Sequence, residues 1–229
     1  VLQAALELAD ESGIESLTMR RLAERLGVEA MSLYNHVRDK DAMLAGIVDL
    51  VINEVALPSP DEDWEVAVKR CALSAHEVLL RHRWACSLVM TPPSGGALDS
   101  RLRYIEALLR RFRQAGFSPA LTYRAYHAVD SHILGFTMWE IGHGVVGSLD
   151  PDIEKELLAL VSSGDFPYLL EHAQEHFAGH DDDPSEFEFG LDLVLEGLRR
   201  LHATETREDR ATGTKQRRDP SALPGVVVQ

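Results

Sequence analysis

In the stretch LAERLGVEAMSLYNHV, residues 22–37, two short amphipathic patterns are interrupted by a Gly-Val step. A glycine accepts the left-handed backbone that a Cβ resists, so the chain can turn sharply here instead of running on as one helix. Ala23 is small where two such helices would cross, and Leu22, Leu26, Val28, Leu33 and Val37 supply a shared core. Ala30, Met31, Ser32, Tyr34, Asn35 and His36 are then left on or beside the outer side of the second helix, where a solvated face ordinarily carries Lys and Glu. A steep two-helix unit is the arrangement that satisfies all of these positions.

Elsewhere apolar residues recur at three and four, not at two, which predicts an all-α fold. A first helix over about 1–12 stops at Gly13, Thr18 caps a second to about Leu26, and a third runs from about Glu29 to Val37. Asp39 or Asp41 caps a longer helix that ends at Pro58–Pro60. Asp61 or Asp63 opens the next, through Leu79, and a short piece surrounds Trp84 to Met90. After the loop TPPSGG, a helix from Leu98 ends at Gly116, and Ser118-Pro119 starts a long one to about Ile141. GHGVVGSLD reads as irregular, Asp150-Pro151 as a further start, residues 168–178 as a helical segment, and DDDPS as the lead into a last helix from Glu186 to about Leu201. The expected domains are a three-helix helix-turn-helix unit over 1–46, a larger helical domain over 47–202, and a disordered tail over 203–229.

The net charge of −14 argues against indiscriminate affinity for nucleic acid. Residues 1–50 carry five basic and nine acidic side chains, so attraction to phosphate would rest on a few placed groups, Arg20, Arg38 and Lys40 among them. No apolar run approaches the roughly 18 residues a membrane span requires. Cys71 and Cys86 lack neighbouring ligands at metal spacing, so no disulfide framework or zinc site is expected and a reducing cytoplasm fits.

Hydroxyl, amide, imidazole and phenol groups on the outer side of a second helix can read base edges or hold phosphates, and Ala and Met can touch thymine methyls. An ordinary helical hairpin with a solvated polar face would show the same Ala-to-Gly spacing. The longer stretch LTMRRLAERLGVEAMSLYNHVRDKDAML, residues 17–44, resembles the signature of the tetracycline-repressor (TetR) family, and its segment from Gly27 to Leu44 is particularly similar to the tetracycline-repressor subgroup. AGFSPALTYRAYHAVDSHILGF and FEFGLDLVLEGLRRL are similar in style to the effector domain of that subgroup. The resemblance implies that Thr18 and Lys40 grip phosphates. It also implies that Tyr34 and His36 contact backbone or bases, and that Ala30, Met31, Ser32 and Asn35 set sequence preference. Ala30 and Met31 stand where the subgroup has Gln-Pro and Asn35 where it has Trp, which implies a different operator. The basic arm that usually precedes the first helix is not part of this sequence.

Tight, specific binding calls for paired units on adjacent half-sites, so a homodimer on a palindromic double-stranded operator is expected. Phe187, Leu191, Val194, Leu195, Leu198 and Leu201 form an apolar stripe, with Gly190 and Gly197 allowing close helix approach. The same stripe would also serve to close the protomer's own core. The resemblance implies a four-helix bundle, with residues 119–141 and 186–201 from each subunit. On the long helix Tyr123, His127, Asp130, Ser131, Leu134 and Met138 fall near one face. With His76, Trp84, Met90, Tyr104 and Trp139 they could line a pocket for an amphipathic small molecule, and satisfied core polar groups explain them as well. His172, His176 and His180 are spaced by four, but with Gly179 and an acidic loop following, a hydrated face is the simpler account and no metal is expected.

The sequence thus points to a cytoplasmic DNA-binding transcription regulator, a repressor released from its operator by an effector that moves the helix over 42–55. It points away from an enzyme, since no nucleophile, cofactor loop or paired-acid motif is present and no cofactor is called for. An effector-independent DNA-binding protein, or a helical metal-dependent enzyme built on the histidine cluster, is the alternative.

Overall fold

The computed structural model describes residues 1–90, 99–143, 155–156, 159–162, 164–178 and 185–216, and among them every regular element is helical. The elements are α1 (Leu2–Ser12), a 3₁₀ turn (Ile14–Ser16), α2 (Met19–Leu26), α3 (Ala30–Leu33), α4 (Lys40–Asn53), α5 (Trp64–Arg81), α6 (Ala85–Val89), α7 (Asp99–Gln114), α8 (Pro119–His143), α9 (Pro167–Ala178) and α10 (Glu186–Gln216). The TPPSGG loop, most of GHGVVGSLD, the Asp150-Pro151 start, His180, Asp181 to Pro184 and residues 217–229 lie outside the described residues.

Helix ends follow local chemistry. The Thr18 hydroxyl accepts from the Arg21 amide at 3.2 Å, Asp39 Oδ1 from Ala42 at 2.7 Å, Asp63 Oδ1 from Glu65 at 2.9 Å, and Ser118 Oγ from Leu121 at 3.1 Å. Asp39 and Asp63, rather than Asp41 and Asp61, are therefore the caps. Gly27 ends α2 in the left-handed conformation, at φ 66° and ψ 32°.

Helices α1 to α3 and the first half of α4 form a small head in which α2 packs on α1 and α3. In the larger body α8 is central, packed by α5, α7 and α10. One continuous apolar core runs through both parts, and α4, touching α1 as well as α5 to α7, belongs to each. At the α1–α4 crossing a Cβ on Gly46 would lie 2.9 Å from both terminal carbons of Leu2, so the helices approach because that Cβ is missing.

Two expectations are corrected. Leu26 and Val28 are 36% and 45% exposed; the head's core is made by Leu22, Leu33 and Val37 together with α1 and α4. The last helix does not stop near Leu201 but continues to Gln216, through the start of the segment expected to be disordered. Tertiary contacts hold this extension. His202 stacks on Phe117 with ring centroids 4.3 Å apart, and Glu205 Oε1 accepts a 2.8 Å hydrogen bond from Ser118 Oγ.

Candidate nucleic-acid interface and interior cavity

The expected reading residues sit on a very short element. α3 spans four residues, and the chain then continues as tight turns, with Asn35 N–H donating to Ser32 O at 3.2 Å and His36 N–H to Leu33 O at 2.9 Å. The third helix expected over 29–37 is thus one α-helical turn followed by 3₁₀-like bonding. Leu33 and Val37 anchor it in the core, while Met31, at 77% exposed, projects with Tyr34, Asn35 and His36 into solvent. Ala30 and Ser32 are half-buried, and the Ser32 hydroxyl donates back to Glu29 O at 2.7 Å.

The charged residues are arranged with restraint. Lys40 is exposed at the first position of α4 and has no acidic partner among the described residues. Arg38 Nε donates to Asp39 Oδ2 at 2.7 Å, and the Ala42 amide followed by that guanidinium holds the Asp39 carboxyl below the usual range. Arg20 faces Glu24 at 3.4 Å with both side chains largely in water, so its guanidinium is easily re-aimed. Arg25 is committed elsewhere: it bridges Glu11 at 2.6 Å and Glu7 at 3.3 Å, fastening α2 to α1. Arg21, which sequence reasoning did not single out, donates to Ser16 O at 3.3 Å from the exposed side of α2.

In the body, an open-mouthed cavity lies between α4, α5, α6, α7 and α8. Val51, Ile52 and Val55 of α4 and its C-terminal turn form one side, and Ile133 and Leu134 of α8 another. Arg101, Tyr104, Tyr126 and Asp130 supply the polar wall. Tyr126 Oη donates to Asp130 Oδ2 at 3.3 Å. Burial raises the Asp130 carboxyl above its ordinary value, against hydrogen bonds from Tyr126 and Tyr104 and the charge of Arg101. Burial also pushes the Tyr126 phenol up to about 12. Arg101 additionally donates to Val89 O.

Of the residues expected around a small-molecule pocket, Tyr104, Asp130 and Leu134 line this cavity and the others sit elsewhere. His76 is buried in an aromatic nest, stacked on Phe187 at 3.8 Å, with Nδ1 2.8 Å from Thr137 Oγ1 and Nε2 3.2 Å from Glu140. Burial pulls its pKa down. Trp84 is bonded to α1, and Met90, Tyr123, His127, Ser131, Met138 and Trp139 are exposed. The inward face of α8 runs through Tyr126, Asp130, Ile133 and Thr137, about one residue out of phase with the face expected. Tyr126 was missed for that reason, whereas Arg101 enters the cavity from α7. A Tyr and an Asp four apart was the signal available for Tyr126, and nothing in the sequence marked Arg101.

The expected dimer seam also divides. Phe187, Leu191 and Leu198 face the protomer's own core, Val194 is half-buried, and Gly190 lies against His132, whose Cε1 would be 2.6 Å from an added Cβ. Leu195 is buried too, while Leu201 is exposed and Gly197 opens outward, on the face that also carries exposed Phe189 and Leu193. Among the described residues no cluster of three or more His, Cys, Asp and Glu side chains could hold a metal, and the His172–His180 spacing extends outside them. No helix in the described residues is long and apolar enough to cross a membrane.

Comparison with known proteins decides the family. Residues 1–47 match the model of bacterial regulatory proteins of the tetR family, and residues 57–202 that of the tetracyclin repressor-like C-terminal domain. The chain belongs to the TetR family. It is 30% identical over 218 residues to the class G tetracycline repressor protein of Vibrio anguillarum, covering 91% of this chain and 96% of that protein. A structure of a possible TetR family transcriptional regulator from Streptomyces coelicolor A3(2) superposes with TM-score 0.70 at 32% identity, over 87% of this chain and 97% of that one. The Streptomyces coelicolor TetR family protein ActR, in complex with actinorhodin, gives TM-score 0.70 at 25% identity over 88% and 95%. These likenesses span both the head and the body, so they cover the exposed turn and the cavity alike.

Proposed function

We propose that this TetR-family chain is a transcriptional repressor that reads double-stranded DNA as a homodimer and lets go when a small molecule fills the cavity of the body. The observation that carries the reading is the exposed set Met31, Tyr34, Asn35 and His36, on a turn pinned by buried Leu33 and Val37. That set matches a reader of base edges, with Thr18 and Lys40 at helix starts to hold phosphates. A domain boundary inside α4 supports the switch, because the helix carrying Lys40 at one end carries Val51 and Ile52 of the cavity at the other. The outward faces of α8 and α10, with Phe189, Leu193 and Gly197, suit pairing of two subunits. The working place is the cytoplasm, and the role is regulatory, not catalytic.

The cavity's chemistry narrows its ligand. Its wall is mostly aliphatic, and Arg101 and Asp130 offset each other in charge, so a net uncharged, largely apolar small molecule with one hydrogen-bonding edge is complementary. The purified protein is expected to select a palindromic duplex from a random pool. Uncharged phenolic ketones are expected to raise its melting temperature and release that duplex, where quaternary ammonium and fatty carboxylate probes do neither. Failure to enrich any duplex at low salt rejects the DNA reading. Retention of the duplex by protein with a bound phenolic ketone rejects the switch.

A further inference from the structure

Among the described residues, two features join the head to the body. One is α4, which runs through the boundary. The other is a polar node at the end of α1, where Asp10 Oδ1 accepts from Trp84 Nε1 at 2.7 Å and lies 2.8 Å from His82 Nδ1. His82 is buried at the C-terminus of α5, and Trp84 stands at the start of α6. The other ring nitrogen of His82 lies 3.3 Å from Glu54 Oε1, within ion-pair reach but not aligned for a hydrogen bond. Glu54 caps α4, and its second oxygen accepts from Arg81 at 2.6 Å. Four helices thus converge on one imidazole held between two carboxylates.

A single helix crossing a boundary fixes one axis and leaves the head free to pivot about it. A second attachment away from that axis removes the freedom. Since α2 rests on α1 and α3 rests on α2, the angle of α1 sets where Met31 and Tyr34 point. Recognition elements must be held within about 0.5 Å and 10–20° to be productive. The node is also next to the cavity: Val55 follows Glu54 in the chain and Ile52 lies two positions before it, and Val89 of α6 and Leu79 of α5 line the same space.

We infer that Asp10, His82 and Trp84, backed by Glu54, form a brace that positions the DNA-binding head on the body, and that this brace is where occupancy of the cavity is felt. They are positioning residues and touch neither DNA nor ligand. The second half of the inference rests on the cavity being the effector site; the brace itself stands on the contacts alone. A ligand that shifts the last turn of α4 or the start of α6 would part Glu54 or Trp84 from its partners and free the head to pivot.

Hydrogen exchange of the full chain tests the brace without operator or effector. D10A removes the shared acceptor, and exchange in α1 to α3 is expected to rise about tenfold while α5, α8 and α10 keep wild-type protection. W84F removes one donor only and should raise it about threefold. D10N retains an acceptor oxygen for Trp84 and should fall below D10A. On a duplex selected by the wild-type protein, D10A should bind about five- to tenfold more weakly, its reading residues being untouched. Head exchange within twofold of wild type in both D10A and W84F overturns the brace, as does a uniform rise across every helix. Phenolic-ketone probes, which fill the cavity on the reading above, should raise head exchange in the wild type and add little in D10A; equal rises in both overturn the link to the cavity. If the wild-type protein selects no duplex, the DNA reading fails, and exchange alone still decides the brace.

Discussion

The head and the body are both helical, yet they are built by different rules. In the head the helices are short, the core is a few Leu, Met and Ala side chains, and ion pairs such as Arg25 with Glu7 and Glu11 fasten one element to the next. In the body the helices run up to 31 residues, and the core gains ring contacts, stacked for His76 on Phe187 and His202 on Phe117, tilted for Phe112 with Phe117 and edge-on for Phe136 with Phe187. A surface that must present polar groups on a tight turn has little area left to bury, and a body that must hold a cavity open needs surplus packing around it. The contrast separates what recognises from what responds.

The largest effect should come from the body's core. Phe187→Ala empties a site only 1% exposed and removes the ring stacked on His76, at a cost of about 3–5 kcal/mol in urea unfolding. If the loss is near that of an exposed residue, the body is not the packed unit described. Tyr34→Ala and Met31→Ala should do the reverse: unfolding midpoints unchanged, and operator affinity reduced by about 1–3 kcal/mol in a gel-shift titration. Gly27→Ala should cost about 1–2 kcal/mol of stability by calorimetry, because its φ of 66° penalises a Cβ although the space around it is open.

Asp130 gives a subtler contrast, read through pH. Burial raises its folded-state pKa above the ordinary value of 3.8, so the folded protein holds that proton more tightly than the unfolded chain. The contribution to stability is therefore fully present below 3.8 and is lost as pH rises through the raised value. Asp130→Asn should accordingly melt higher than wild type at neutral pH, the gap closing on acidification to about pH 4. A gap constant with pH would show that the carboxyl is not strained by its site. The smallest effect belongs to Lys40→Ala, which should weaken binding to all duplexes alike and lower the slope of log affinity against log salt by about 1.

Local chemistry marked the helix starts at Thr18 and Ser118 and the stops at Gly13, Gly27 and Gly116, and narrowed the starts at Asp39 and Asp63 to two candidates each, because a cap is chosen by residues within three positions of it. The exposure of Met31, Tyr34, Asn35 and His36 was legible too, since Leu33 and Val37 leave only one side of a short element for them. The cavity was not. α8 is apolar on more than one face, so its periodicity did not fix which residues point inward, and the wall was read one position out of phase. The stripe on α10 failed for a related reason: Phe187, Leu191 and Leu198 could have met another subunit or their own α5 and α8, and spacing is the same for both.

By itself the sequence determined that the chain is helical, where its early helices start, and that a sharp left-handed turn at Gly27 presents Met31, Tyr34, Asn35 and His36 outward. Those outcomes depend on groups a few residues apart. Only tertiary structure decided that Arg101 and Tyr126 join Asp130 in a cavity, that Trp84 and His82 reach back to Asp10, and that the last helix persists past Leu201 on His202 and Glu205. Each of these joins residues dozens of positions apart or more, or chooses among equally apolar faces, and the packing of the whole chain sets which pairs meet.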